Sequence, residues 1–160
     1  MMILAIDPGS RAGWAMMRNG ERFSGVWDNA PQRQTKARPA DPKYYRVFYA
    51  YVALQFFCDS YGYPDLIVCE DAAGFMRGKS AVEASHKYRA IIEFFCAKHN
   101  IKLVYVQPAD IKRFATGKGN ADKTEMIAVA RDKYGYTGND DNEADAIIIR
   151  EWGITYCAMP

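Results

Sequence analysis

Three acidic residues stand where an acid is costly unless it has a partner or a task. Asp7 closes the apolar run "ILAI" (Ile3–Ile6) and is followed at once by Pro8 and Gly9. Glu70 closes a second apolar run, "LIVC" (Leu66–Cys69). Asp145 belongs to "DDNEADA" (Asp140–Ala146), at the start of the last helical stretch. A strand that is apolar throughout is covered on both faces, so an acid at its tip faces a crevice at the sheet's edge. Two such tips and a helix start around one crevice repel each other. A divalent cation is the usual remedy, and hard carboxylate oxygens suit Mg²⁺ or Mn²⁺. With residues 144–152 helical, Asp141 and Asp145 are four apart and share a face. Asn142 and Asp145, three apart, share it nearly as well, and Glu143 points toward solvent. Asp7, Glu70, Asp145 and one neighbour thus form a candidate site for two metal ions about 4 Å apart, a geometry that activates water and stabilises the leaving oxygen in phosphodiester cleavage. A capped helix start with acids at its positive end would explain "DDNEADA" alone, but not the coincidence of all three places.

The elements that must hold these acids are legible from apolar periodicity and turn residues. Met2–Ile6, Gly13–Met17 and Arg22–Trp27 read as strands of an antiparallel meander, with Asn19-Gly20 as a hairpin turn. A polar, Pro-containing loop with a basic excess follows at Asp28–Lys43, long enough to be functional or mobile. Tyr44–Tyr61 reads as a helix with Val47, Tyr51, Leu54 and Phe57 on one face, its aromatics serving core or dimer surface. Leu66–Cys69 is a short buried strand. Ser80–His99 is the clearest helix, with Ala81, Ala84, Tyr88, Ile91, Ile92 and Phe95 on one face. A strand at Leu103–Val106, a short helix at Asp110–Phe114, and helices at Ala121–Tyr134 and Asn142–Trp152 complete the chain. This order predicts an α/β fold, a mixed sheet sandwiched by helices, with ligands bound outside the carboxyl ends of the strands.

Composition narrows the class. A chain of 160 residues, 49% apolar and 25% charged, reads as one soluble globular domain over residues 1–160. The net charge of +2, from 21 basic and 19 acidic residues, is too small to demand a nucleic-acid partner, so placement of charge matters more than its sum. Cys58, Cys69, Cys96 and Cys157 include no CxxC pair and read as buried reduced thiols rather than a zinc site. There is no signal-peptide pattern and no apolar run approaching about 18 residues, so a cytoplasmic protein without a membrane span is expected. His86, opposite an apolar face, and His99, at a helix end, read as solvated or structural.

Read together, "IDPG", "VCED", "PADIKRFATGKGNADKTEM" and "NEADA" resemble the RuvC-type Holliday junction resolvases, in the same order and over nearly the whole chain. The most specific stretch is Pro108–Met126, with its Pro, a Lys four residues on, a Gly-x-Gly loop and Ala-acid-Lys. The compact length is closest to phage-encoded members. The resemblance implies an RNase H-like mixed five-stranded sheet, three antiparallel strands then two parallel ones, with helices on both faces. It implies a homodimer that hydrolyses two opposed strands of a four-way DNA junction with Mg²⁺. Asp7, Glu70 and Asp145 take the acidic ligand roles. The fourth ligand position falls on Asn142, which is not an acid; its amide oxygen ligates more weakly, and Asp141 in the preceding turn is the favoured substitute. Lys112 and Lys123 fall on the family's functional lysines, suited to neutralising the scissile phosphate or the charge developing on it. Phe75 is the candidate for an aromatic that stacks on a base near the crossover.

Other cations complete a candidate DNA surface. Lys118, between Gly117 and Gly119, can approach a phosphate backbone closely. Arg77 and Lys79 flank Phe75, and Arg33, Lys36, Arg38 and Lys43 make the first long loop basic. Two further readings share the acids: an RNase H-fold nuclease acting on RNA of the precursor-ribosomal type, and a non-catalytic module that binds branched DNA, which Asn142 keeps open. An actin-like ATPase needs two lobes of this kind, and the chain supplies one.

Overall fold

Asn19 and Gly20 both take positive φ, 53° and 86°, as a two-residue hairpin turn of the primed type requires. They join β2 (Arg11–Arg18) to β3 (Glu21–Asp28). In this computed structural model, which describes residues 1–35, 39–42, 44–71 and 78–157, β2 also pairs antiparallel with β1 (Met2–Asp7), in a register that sets Asp7 opposite Gly13. β4 (Leu66–Glu70) and β5 (Lys102–Val106) extend the sheet in parallel from β1, giving the order β3-β2-β1-β4-β5. The mixed sheet of three antiparallel and two parallel strands is the one expected. Both hairpin strands run longer than the apolar pattern suggested, because the ladder continues through polar residues at both ends, from Arg18↔Glu21 beside the turn to Arg11↔Asp28.

Among the described residues, five helices cover the two faces. On one, α1 (Tyr45–Tyr61) and α2 (Lys79–His99) bury Leu54, Phe57, Ile92 and Phe95 against Leu4, Ile6, Met16 and Ile67. On the other, α3 (Pro108–Thr116), α4 (Lys123–Tyr134) and α5 (Asp141–Cys157) pack on Ile3, Ala5, Ala15 and Val68. Alternate residues of β1 and β4 thus feed two cores, which is why these strands are apolar throughout.

Helix ends differ from the periodicity in ways their chemistry explains. α3 starts at Pro108, whose fixed φ suits the first helical position, and stops at Gly117 with φ 82°. α4 begins at Lys123 rather than Ala121, because Asp122 caps it in a reciprocal capping box with Glu125. Cys58, Cys69 and Cys96 are buried, Cys157 is half-buried, and all four are free thiols, as expected. His99 lies against Tyr63 and Phe95, with ring centroids 4.6 Å away from each, so it is structural; His86 is exposed. No described helix is long and apolar enough to cross a membrane.

Candidate active site

β1 and β4 each run one residue further than their apolar runs, so Asp7 and Glu70 are the last residues of two adjacent parallel strands. Ile6 is level with Cys69, which leaves the two acids side by side. By alternation Asp7 shares a face with Ile3 and Ala5, and Glu70 with Leu66 and Val68. That is the face on which α5 packs. The two carboxyls lie within hydrogen-bonding reach of each other. Burial first, then the charge of Glu70, pushes Asp7 well above the usual carboxylate range, and Asp145 and Asp141 add to the push. Burial raises Glu70 as well, while its bond to Asp7 and the charge of Lys112 oppose the rise. Both shifts favour a protonated carboxyl in the pair over two charged ones.

Asp145 approaches from α5. Burial, then Glu70 and Asp141, lift it to about 7, against the pull of Lys112 and Lys123. Its Oδ1 is buried and has no hydrogen-bond partner. Four carboxylates from two strand ends and one helical turn therefore share one electrostatic environment, with two lysines on its margin.

The first turn of α5 is held from several sides. Asp140 is its cap: Oδ1 accepts from the backbone N–H of Asn142 at 3.0 Å and of Glu143 at 3.2 Å. Arg11 clamps the other oxygen of Asp140 at 2.7 and 2.9 Å. Glu143 does not point to solvent, as expected from the helical wheel. It accepts from Ser24 Oγ at 2.8 Å and lies 3.2 Å from the Tyr136 hydroxyl. The reason is that the sheet's β3 edge reaches under the helix start, so a residue opposite the acids still meets protein. Arg11, Ser24 and Tyr136 were not singled out from the sequence, because the partners of the first two lie over 100 residues away and Tyr136 itself sits in a loop without a periodic pattern.

The lysines divide. Lys123, the first residue of α4, pairs with Asp141, and Asp145 and Asp7 also hold its ammonium in the charged form. Lys112, on α3, lies within electrostatic reach of Glu70 and Asp145. Lys118 is exposed on its loop and pairs with Glu125 of α4. Lys79 is exposed at the start of α2, and Arg33 is exposed in the loop after β3. That loop is not wholly loose: Asp41 N–H donates to the Gln32 carbonyl at 2.9 Å, and Tyr49 donates to the Asp41 carboxylate at 2.7 Å. Lys36, Arg38, Lys43, Phe75 and Arg77 lie outside the described residues. Asp71, next to Glu70, is occupied elsewhere, accepting from Arg89 at 2.9 Å and Gln107 at 3.3 Å.

Among the described residues, no three His, Cys, Asp or Glu side chains are drawn together tightly enough to hold one ion as they stand. The donor set nonetheless fits a hard divalent cation. It is all oxygen, the buried Asp7 and Glu70 carboxyls repel each other in a way a cation would relieve, and Asp145 has a buried oxygen with no partner. Holding an ion with all three acids requires their side chains to draw in around it.

No protein-family model matches the chain. Among curated proteins it is 25% identical over 154 residues to the crossover junction endodeoxyribonuclease RuvC of Caldicellulosiruptor saccharolyticus, covering 93% of this chain and 89% of the relative. It is 31% identical over 153 residues to the RuvC of Endomicrobium trichonymphae, covering 93% of this chain and 78% of the relative. Solved structures share the fold. Thermus thermophilus RuvC superimposes with a TM-score of 0.72 at 18% identity, over 99% of this chain and 96% of that one. The same protein in complex with a Holliday junction substrate gives 0.71 at 17% identity, over 94% and 90%. The yeast mitochondrial Holliday junction resolvase gives 0.59 at 12%, over 94% and 76%. The chain is a member of the RuvC family of crossover junction endodeoxyribonucleases.

Proposed function

We propose that residues 1–160 form one nuclease domain that resolves four-way DNA junctions in the cytoplasm, using Mg²⁺ or Mn²⁺, two ions per site, and that it extends to other branched DNA. The observation that supports this reading is the mutual electrostatic influence of the buried Asp7, Glu70 and Asp145, with Lys112 and Lys123 acting on them. The curated relatives are named for crossover junction cleavage, and a solved neighbour holds a Holliday junction.

Asp7, Glu70 and Asp145 would hold the cations, with Asp141 as the fourth carboxylate. Asp141 is favoured over Asn142 because its charge acts on both Asp7 and Asp145. When bound, such cations activate a water and stabilise the leaving oxygen. Burial raises the proton affinity of these acids, so metal binding and proton release are linked. Lys123, poised on Asp141, and Lys112 supply positive charge to the scissile phosphate. Lys79, Lys118, Arg33, Lys36, Arg38 and Arg77 contact the phosphate backbone around the junction, and Phe75 stacks on an unpaired base. Cutting two opposed strands needs two sites, hence a homodimer. Tyr44, Phe48, Val52 and Phe56 recur every fourth residue along α1 and stay exposed, which makes that face the candidate for the contact between copies.

The test is a synthetic four-way junction with Mg²⁺ and with EDTA. Symmetric nicking that EDTA abolishes is expected, and Asp7→Asn should bind the junction and leave it uncut. A wild-type protein that binds but never cuts would make this a branched-DNA binding module; equal cutting of linear RNA would make it an RNA nuclease.

A further inference from the structure

Gly13 sits opposite Asp7 on the neighbouring strand, on the face that carries α5. A Cβ built there would stand 1.8 Å from the carbonyl oxygen of Asn142, 2.3 Å from its carbonyl carbon and 3.0 Å from the Glu143 nitrogen. These are backbone atoms of the first turn of α5, so no side-chain rotation relieves the overlap. The helix start rests directly on bare backbone next to Asp7. A glycine inside a strand commonly marks such a close approach.

The same turn is tied from the far side by Tyr136. Its buried hydroxyl accepts from Asp140 N–H at 2.9 Å and shares its own proton between the Asp140 carbonyl at 3.1 Å and Glu143 at 3.2 Å. Gly138 lets the loop pass over that hydroxyl: a Cβ there would be 2.5 Å from the oxygen. Two contacts thus fix the height and the lateral place of a turn that contains Asp141 and leads on to Asp145.

We propose that Gly13 and Tyr136 are positioning residues that set the distance between Asp7 and the α5 carboxylates, and so the affinity of the site for its divalent cation. The inference rests on the reading of Asp7 and Asp145 as ligands. It assigns the work to two groups outside the acidic ligand set. Adding one methyl at Gly13 pushes Asp145 away from Asp7. Removing the Tyr136 hydroxyl lets the turn shift without any overlap.

The experiment measures Mn²⁺ binding by electron paramagnetic resonance of the free ion, in wild type, Asp7→Asn, Gly13→Ala and Tyr136→Phe, each checked for folding by its thermal melt. Wild type should bind and Asp7→Asn should not; if these two behave alike, the ligand reading itself fails. Gly13→Ala should bind about 10-fold or more weakly, and Tyr136→Phe should fall in the same direction by less. Their junction cutting should recover at raised Mn²⁺, with junction affinity in EDTA unchanged. Should Gly13→Ala not fold, the Tyr136→Phe affinity decides. Folded variants that bind Mn²⁺ as wild type does, beside a silent Asp7→Asn, would overturn the positioning role while leaving the ligands intact.

Discussion

At the scale of single residues, the site is a set of acids that cannot all be charged together. Asp145 is lifted to about 7 and Asp7 is raised well above the usual carboxylate range, both chiefly by burial. Between about pH 4, where a free Asp titrates, and about pH 7, the folded chain holds protons that the unfolded chain has lost. Stability from these groups is therefore full at the acid end and falls as pH rises through that window. Melting temperatures of the metal-free wild type should drop relative to those of Asp145→Asn over this range, and divalent cation should restore them at neutral pH. Parallel curves would contradict the account. Lys123→Ala should slow cutting by at least about 10-fold while costing the junction affinity of a single phosphate contact; an affinity loss as large as the rate loss would reduce Lys123 to that contact. Asp141→Asn should slow cutting more than Asn142→Ala, which a comparison of single-turnover rates reads directly.

At the scale of elements, much was legible because apolar runs and turn residues act locally. Asn19-Gly20 announced its hairpin, and the runs Ile3–Ile6 and Leu66–Cys69 announced the two strands that deliver Asp7 and Glu70. The helices that cover them followed from apolar spacing, while some of their ends, such as the Asp122 cap of α4, did not. What was not legible depends on contacts far apart in the chain. Glu143 looked solvent-facing on a helical wheel, yet Ser24, 119 residues away, binds it. Gly13 looked like an ordinary strand residue, although its missing side chain is what α5 rests on. The capping box of α4 links an element to the site, because Asp122 fixes the backbone from which Lys123 starts. Asp122→Ala should cost about 1 kcal/mol in chemical denaturation and also slow cutting; a stability loss with unchanged cutting would show that the cap does not position Lys123.

At the scale of the whole molecule, the sheet gathers distant segments at one edge. Parallel pairing of β1 with β4 brings residues 7 and 70 together, and α5 lies across them to add residue 145. The opposite face ends in α1, whose Phe48 and Phe56 are 56% and 71% exposed. In sedimentation velocity the wild type should run as a dimer, and Phe48→Glu with Phe56→Glu should run as a monomer that cuts one strand at a time. A dimer unchanged by both substitutions would place the contact elsewhere. The central claim is narrower: Asp7, Glu70 and Asp145 close on shared divalent ions. Anomalous scattering from a crystal soaked in Mn²⁺ tests it most directly. Manganese peaks bound by oxygens of all three side chains are the predicted result; peaks absent from that crevice, or bound without them, would contradict it.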